Sequence, residues 1–340
     1  MTDDTYRSRF VLKTNAKANL RNKYGPALCV AAVAQLIGAG FQGLAGSLIS
    51  FSGPFPAIFR SIRMSRFQRI YEPELIDDAE INLRKISEFA ASHLPLIITA
   101  VIAVISITLL YRILVGHVVT IGKRRWFLRA SQPDVSPPIG FMFSSFRKGQ
   151  YSGIVGGALW KSVWLFVWSL PVIILNILMI TPVVLLLDAY VRTDAVLISP
   201  ELVARVTEAY HLPSFVFSLT ALLISFVLLI CFSIILLVKS YQYRMADYIL
   251  ADNASIGAKR ALELSKKMAK GNLWRFFVLD LSFAGWFILA ALCICLPGIA
   301  IYLLLPYYEA VWAEAYKQVR DDLAARRECT MEELGYVRIY

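Results

Sequence analysis

The chain has 340 residues, 58% of them hydrophobic and 17% charged, with a formal net charge of +11 and a mean hydropathy of +0.60. Apolar surface on that scale, arranged in long blocks, exceeds what one soluble core buries and excludes an ordinary water-soluble domain. The basic residues lie beside the apolar blocks, so anionic lipid headgroups rather than nucleic acid are the expected counter-charge.

In chain order, Arg9, Lys13, Lys17 and Arg21 recur every fourth residue, with Leu12, Ala16 and Leu20 on a neighbouring face. That spacing predicts an amphipathic helix at the lipid interface within an N-terminal segment, 1–26. The first apolar block, 27–50, is as long as a full span and follows about two dozen polar residues, which suits an uncleaved anchor better than a signal peptide. Within it Ala39, Gly43 and Ser47 form a small-residue face that admits close helix approach.

In 51–92, Arg60, Arg63, Arg66 and Arg69 fall every third residue. Polar Ser61, Ser65 and Gln68 lie between them, so the segment reads as a helix lying flat in the interface rather than a voltage-sensing ladder. The second span is 94–115. GHVVTIGKR, which follows it, is not a P-loop: five residues separate Gly116 from Gly122, and Arg124 stands where Ser or Thr is needed. Adjacent Pro137 and Pro138 mark 130–152 as a loop.

The third span, 154–187, contains Pro171 and Pro182 and is expected to tilt or kink. A polar insertion, 188–212, precedes the fourth span at 213–238. The fifth, 276–295, is followed by Pro297-Gly298 and a sixth at 299–316, or the last pair forms one long broken helix. The expectation is an all-α, polytopic helical membrane protein with about six transmembrane helices plus interfacial amphipathic helices. Residues 27–316 form its single transmembrane domain and 317–340 a tail.

Counting Lys and Arg fixes an orientation. Segments 1–26, 117–155, 239–275 and 317–340 hold 25, against 8 in 51–92 and 188–212, which places both termini in the cytoplasm.

Residues 254–270, between spans four and five, read as a cytoplasmic basic helix. Ala258, Ala261, Leu262, Ser265 and Met268 share one face, and Gly271 ends it. Lys259, Arg260, Lys266, Lys267, Lys270 and Arg275 are candidate contacts for anionic lipid, each worth about 1 kcal/mol near an anionic leaflet. The alternative is that these charges simply hold the loop on the cytoplasmic side.

The ionisable residues within spans, Lys161, Asp280, Glu309 and Glu314, form a candidate intramembrane polar site, since a charge at that depth needs a partner or water. A buried Lys161–Asp280 pair is expected. The competing role is a proton or ion path through Asp280, Glu309 and Glu314. Neither the five cysteines nor His93, His117 and His211 are spaced as a metal site, and hydrolase or nucleotide-binding fingerprints are absent. No cofactor is expected, and the chain reads as a non-enzyme.

Several features together carry a family likeness: Tyr248-Ile249-Leu250 with Asp252, Ala261-Leu262, Ser265 with Met268, Lys270-Gly271, Phe276, Leu279 to Phe283, Gly285-Trp286 and Pro306-Tyr307. Fainter matches lie at 12–17, Gly122, Phe127-Leu128, Phe143, Phe146, Gly149 and Tyr151. The chain resembles the bacterial integral-membrane family catalogued as domain of unknown function 975. The resemblance implies a multi-span bacterial membrane protein and names no activity. The expected role is a scaffold or accessory protein of the bacterial inner membrane, its basic helix contacting anionic lipid, a protein partner or a second copy. The alternative is a small permease.

Overall fold

The computed structural model of the chain describes residues 9–52, 94–132, 134–192, 212–292 and 299–336. The arginines at 60–69, most of the insertion at 188–212 and the Pro297-Gly298 turn lie outside these residues. Among the described residues the regular elements are all helical. They are α1 (Arg9–Leu20), α2 (Tyr24–Ser52), α3 (Leu94–Tyr111), α4 (His117–Ala130), α5 (Tyr151–Arg192), α6 (Leu212–Arg244), α7 (Ala246–Asp252), α8 (Ala258–Ala269), α9 (Leu273–Leu292) and α10 (Ile299–Ala325). A π-helical turn, Arg112–Gly116, joins α3 to α4, and a 3-10 helix spans Ile139–Phe146.

Four described stretches are long and apolar enough to cross a membrane: Ile102–Ala130, Tyr151–Met179, Thr220–Asp252 and Leu273–Ala290. The first part of α2, Tyr24–Gly38, is also apolar. The fold is an all-α polytopic membrane protein. The second predicted span continues through the π turn to Ala130, so the Lys123, Arg124 and Arg125 cluster sits on a helix. α5 runs unbroken through Pro171 and Pro182 for 42 residues. At 1.5 Å per residue that is about 63 Å, roughly twice the hydrocarbon thickness, so its ends reach beyond the apolar layer.

The chain forms two compact units. The first comprises 1–155 and 289–314. In it α1 buries Leu12, Ala16 and Leu20, the stripe given by the four-residue spacing, within the protein and not at the lipid interface that the sequence suggests. Lys23 closes the far end of α4: its Nζ donates to the carbonyls of Ala130 at 3.0 Å and Gln132 at 2.7 Å, where a cation meets the negative end of a helix. Burial pushes its ammonium pKa down. α4 lies directly on the 3-10 helix. A Cβ on Gly122 would come 2.0 Å from the carbonyl oxygen of Met142, so only glycine permits this approach. Trp126 is fully buried and donates Nε1–H to the Pro137 carbonyl at 3.1 Å.

The second unit comprises 156–288 and 315–340. Its core gathers the end of α6, nearly all of α7, one face of α8, the start of α9 and the end of α10. Tyr243, Ile249, Leu250, Leu264 and Tyr316 are almost inaccessible. By contrast, the apolar stretches of α5 and α6 leave Phe166, Ile174, Ile177, Leu223, Ile224 and Val227 exposed. Unpaired apolar faces of this kind are what a helix presents to lipid.

The basic helix begins at Ala258 and not at 254. Asn253 Oδ1 accepts from the backbone N–H of Ser255 at 2.9 Å and from its hydroxyl at 2.6 Å, which makes a side-chain turn. Gly257 then sits at φ +86°, outside helical space. At the other end Gly271 takes φ +83° and stops the helix where the sequence predicts.

Candidate functional site

α8 is strongly amphipathic: Ala261, Leu262, Ser265 and Met268 are buried, and the cations occupy the remaining surface. The lysines meet aromatic rings. Trp160, Trp164 and Trp168 follow one another every four residues along α5 and so share one face. Lys259 Nζ lies 5.8 Å from the Trp160 centroid and Lys266 Nζ 5.9 Å from Trp164 and 5.5 Å from Tyr243. Lys239 lies 4.4 Å from Trp168. Ammonium over indole is attractive by about 0.5–1 kcal/mol at exposed sites.

The other predicted cations are less free. Arg260 forms a two-point pair with Glu333, Nε to Oε1 at 2.7 Å and Nη2 to Oε2 at 3.3 Å, and reaches Glu263 at 3.1 Å. Lys267 lies 3.6 Å from both Glu263 and Glu328. Arg275 donates to Asn272 at 2.7 Å, and Lys270 is exposed. Hydrogen bonding by Arg260 holds the Glu333 carboxyl below the usual range, and the same bond raises the guanidinium pKa. Of the six predicted lipid contacts, Lys259, Lys266 and Lys270 present outward charge, while Arg260 and Lys267 are neutralised by the chain's own carboxylates.

Where a Lys161–Asp280 pair was expected, the structure has two other pairings. Lys161 Nζ meets Asp247 Oδ2 at 2.6 Å, and Asp280 Oδ2 receives Arg244 at 2.7 Å and the Tyr241 hydroxyl at 2.8 Å. The reason is that the helix continues past the predicted end of span four. α6 and α7 carry Tyr241, Arg244 and Asp247 three residues apart, and this row faces both charges. Glu309 pairs with Lys123 at 2.5 Å, and Glu314 accepts from Asn19 at 3.0 Å. Lys161 and Asp280 belong to the second unit, Glu309 and Glu314 to the first.

A further cluster escapes sequence reading. Asp252 accepts from the Tyr316 hydroxyl at 2.8 Å and the Tyr336 hydroxyl at 3.1 Å, and Arg320 lies 3.8 Å away. Tyr316 stacks on Tyr248 with centroids 5.3 Å apart. Burial, then the Asp252 charge, pushes the Tyr336 phenol pKa up. The four residues span 252–336, and the one available signal is Asp252 among those that carry the family likeness. Together they hold the C-terminal segment against the core.

Long apolar helices that carry paired charges define an all-α membrane protein. Residues 81–322 match the family described as Protein of unknown function (DUF975), and the chain belongs to that family. No curated protein and no solved structure matches it. Many residues on which the likeness rests are packing residues: Tyr248, Ile249, Leu250, Ala261, Leu262, Ser265, Met268, Phe276, Leu279 and Phe283 are all buried.

Proposed function

We propose that the protein is a non-enzymatic scaffold or accessory protein of the bacterial plasma membrane, and that α8 lies along the anionic cytoplasmic leaflet. The observation that carries this reading is the ladder of Lys259, Lys266 and Lys239 over Trp160, Trp164 and Trp168. Tryptophan and lysine side by side are the residues that settle at a membrane–water boundary, the ring at headgroup level and the ammonium toward phosphate. The positive-inside count puts the same helix, and both termini, on the cytoplasmic side. Lys259, Lys266 and Lys270 then supply the net attraction, since Arg260 and Lys267 already have carboxylate partners.

The test compares binding of fluorescent phosphatidylglycerol and phosphatidylcholine to the detergent-solubilised protein. The triple variant Lys259→Gln, Lys266→Gln, Lys270→Gln should lose much of the anionic preference while still unfolding cooperatively, with a melting temperature lowered by no more than the lost ring contacts account for. An unchanged preference in a folded triple variant defeats the reading.

A further inference from the structure

A second basic feature stands in the first unit. An open groove of about 780 Å³ has Lys17, Ala18, Leu20, Arg21, Tyr24 and Tyr307 in its described lining, with mostly apolar walls and no acid among these residues. Lys17 and Arg21 are one helical turn apart, both exposed, and among the described residues neither is engaged by an acid. That sets them apart from Arg260 and Lys267 on α8. The Tyr24 hydroxyl donates to the Leu303 carbonyl, one turn before Tyr307, and so ties the groove wall in α2 to α10. The groove opens where the amphipathic α1 gives way to the apolar start of α2.

We infer that this groove binds one anionic glycerophospholipid. Lys17 and Arg21 hold its phosphate, and the glycerol with the first acyl carbons lies over Leu20, Tyr24 and Tyr307. Charge and shape both select this occupant. Two exposed cations at the rim, with no acid partner among the described residues, attract an anion, and the mostly apolar described lining suits an apolar continuation of that anion. The volume is within the range of sites that enclose one small ligand. A zwitterionic lipid would set its own cation against Lys17 and Arg21, and a free phosphate would leave the apolar wall unused. This site is separate from α8 and does not depend on α8 binding lipid.

The test measures the melting temperature of the full-length protein in neutral detergent against added phosphatidylglycerol, phosphatidylcholine or inorganic phosphate. Phosphatidylglycerol should raise it for the wild type, and phosphatidylcholine and phosphate should not. The rise should fall to what α8 alone contributes in Lys17→Gln, Arg21→Gln, and also in Ala18→Trp, which fills the groove without changing its charge. It should persist in the charge-preserving Lys17→Arg, Arg21→Lys variant and in the α8 triple variant. A rise equal in wild type and Lys17→Gln, Arg21→Gln overturns the inference, as does equal stabilisation by phosphatidylcholine or by phosphate. If Ala18→Trp responds like the wild type, the cations act as a diffuse surface and the groove is not the site. Loss of the rise in the α8 triple variant alone would place the lipid on α8 and also overturn the inference.

Discussion

Lys161 and Asp247 show how a charge is carried into an apolar helix. Their side chains are 13% and 6% exposed, so each has lost most of its hydration and depends on the other. Removing one partner of a buried pair leaves an uncompensated charge and costs about 3–5 kcal/mol, more than the pair itself contributes. A double-mutant cycle therefore distinguishes the two pairings. Lys161→Ala and Asp247→Ala should couple strongly in thermal unfolding, and Lys161→Ala with Asp280→Ala should couple more weakly. The reverse order would restore the pairing expected from sequence. The sequence could single out Lys161 and Asp280 because charges stand out in apolar runs. It could not choose partners, because Asp247 falls in a polar stretch where a carboxylate attracts no notice.

At the scale of elements, helices were legible where one face is apolar and the other is not. The stripe of α1 and the buried face of α8 follow from spacing alone, and Gly271 marks a true end. The start of α8 was misread because Asn253 and Gly257 act through local geometry that hydrophobic periodicity does not sense. The contact of α4 with the 3-10 helix was equally hidden, since it depends on an absent side chain. Gly122→Ala should displace that 3-10 helix and destabilise the protein by about 1–3 kcal/mol, the range for overpacking, with a lower melting temperature as the readout.

The C-terminal segment offers a pH test. Because Arg260 depresses the Glu333 pKa in the folded chain, the unfolded segment takes up the proton first. The stabilisation is thus present above the ordinary glutamate value of about 4.3 and is lost as pH falls through the folded value. The exchange protection of residues 328–336, taken relative to the intrinsic amide rate at each pH, should fall below about pH 4 in the wild type. In Glu333→Gln this acid step should be missing, with faster exchange already at pH 7.

For the whole molecule, the distribution of basic residues predicts that both ends of the chain share one side of the membrane. Reporter fusions at residue 1 and residue 340 should both report cytoplasm; a split result would invalidate the charge count, with the arginines at 60–69 the first suspects. The same scale gives the π turn at Arg112–Gly116 its meaning. Before it, Ile102, Ile105, Leu109 and Leu110 point outward; after it, Val118, Val119, Ile121 and Trp126 are enclosed. A π turn carries one residue more than an α-helix needs, and one residue is about 100° of rotation. The segment is therefore an angular offset, setting the facing of the lipid-side half independently of the half that packs. Deleting Val115 would leave a regular helix whose two halves no longer agree about which way is in.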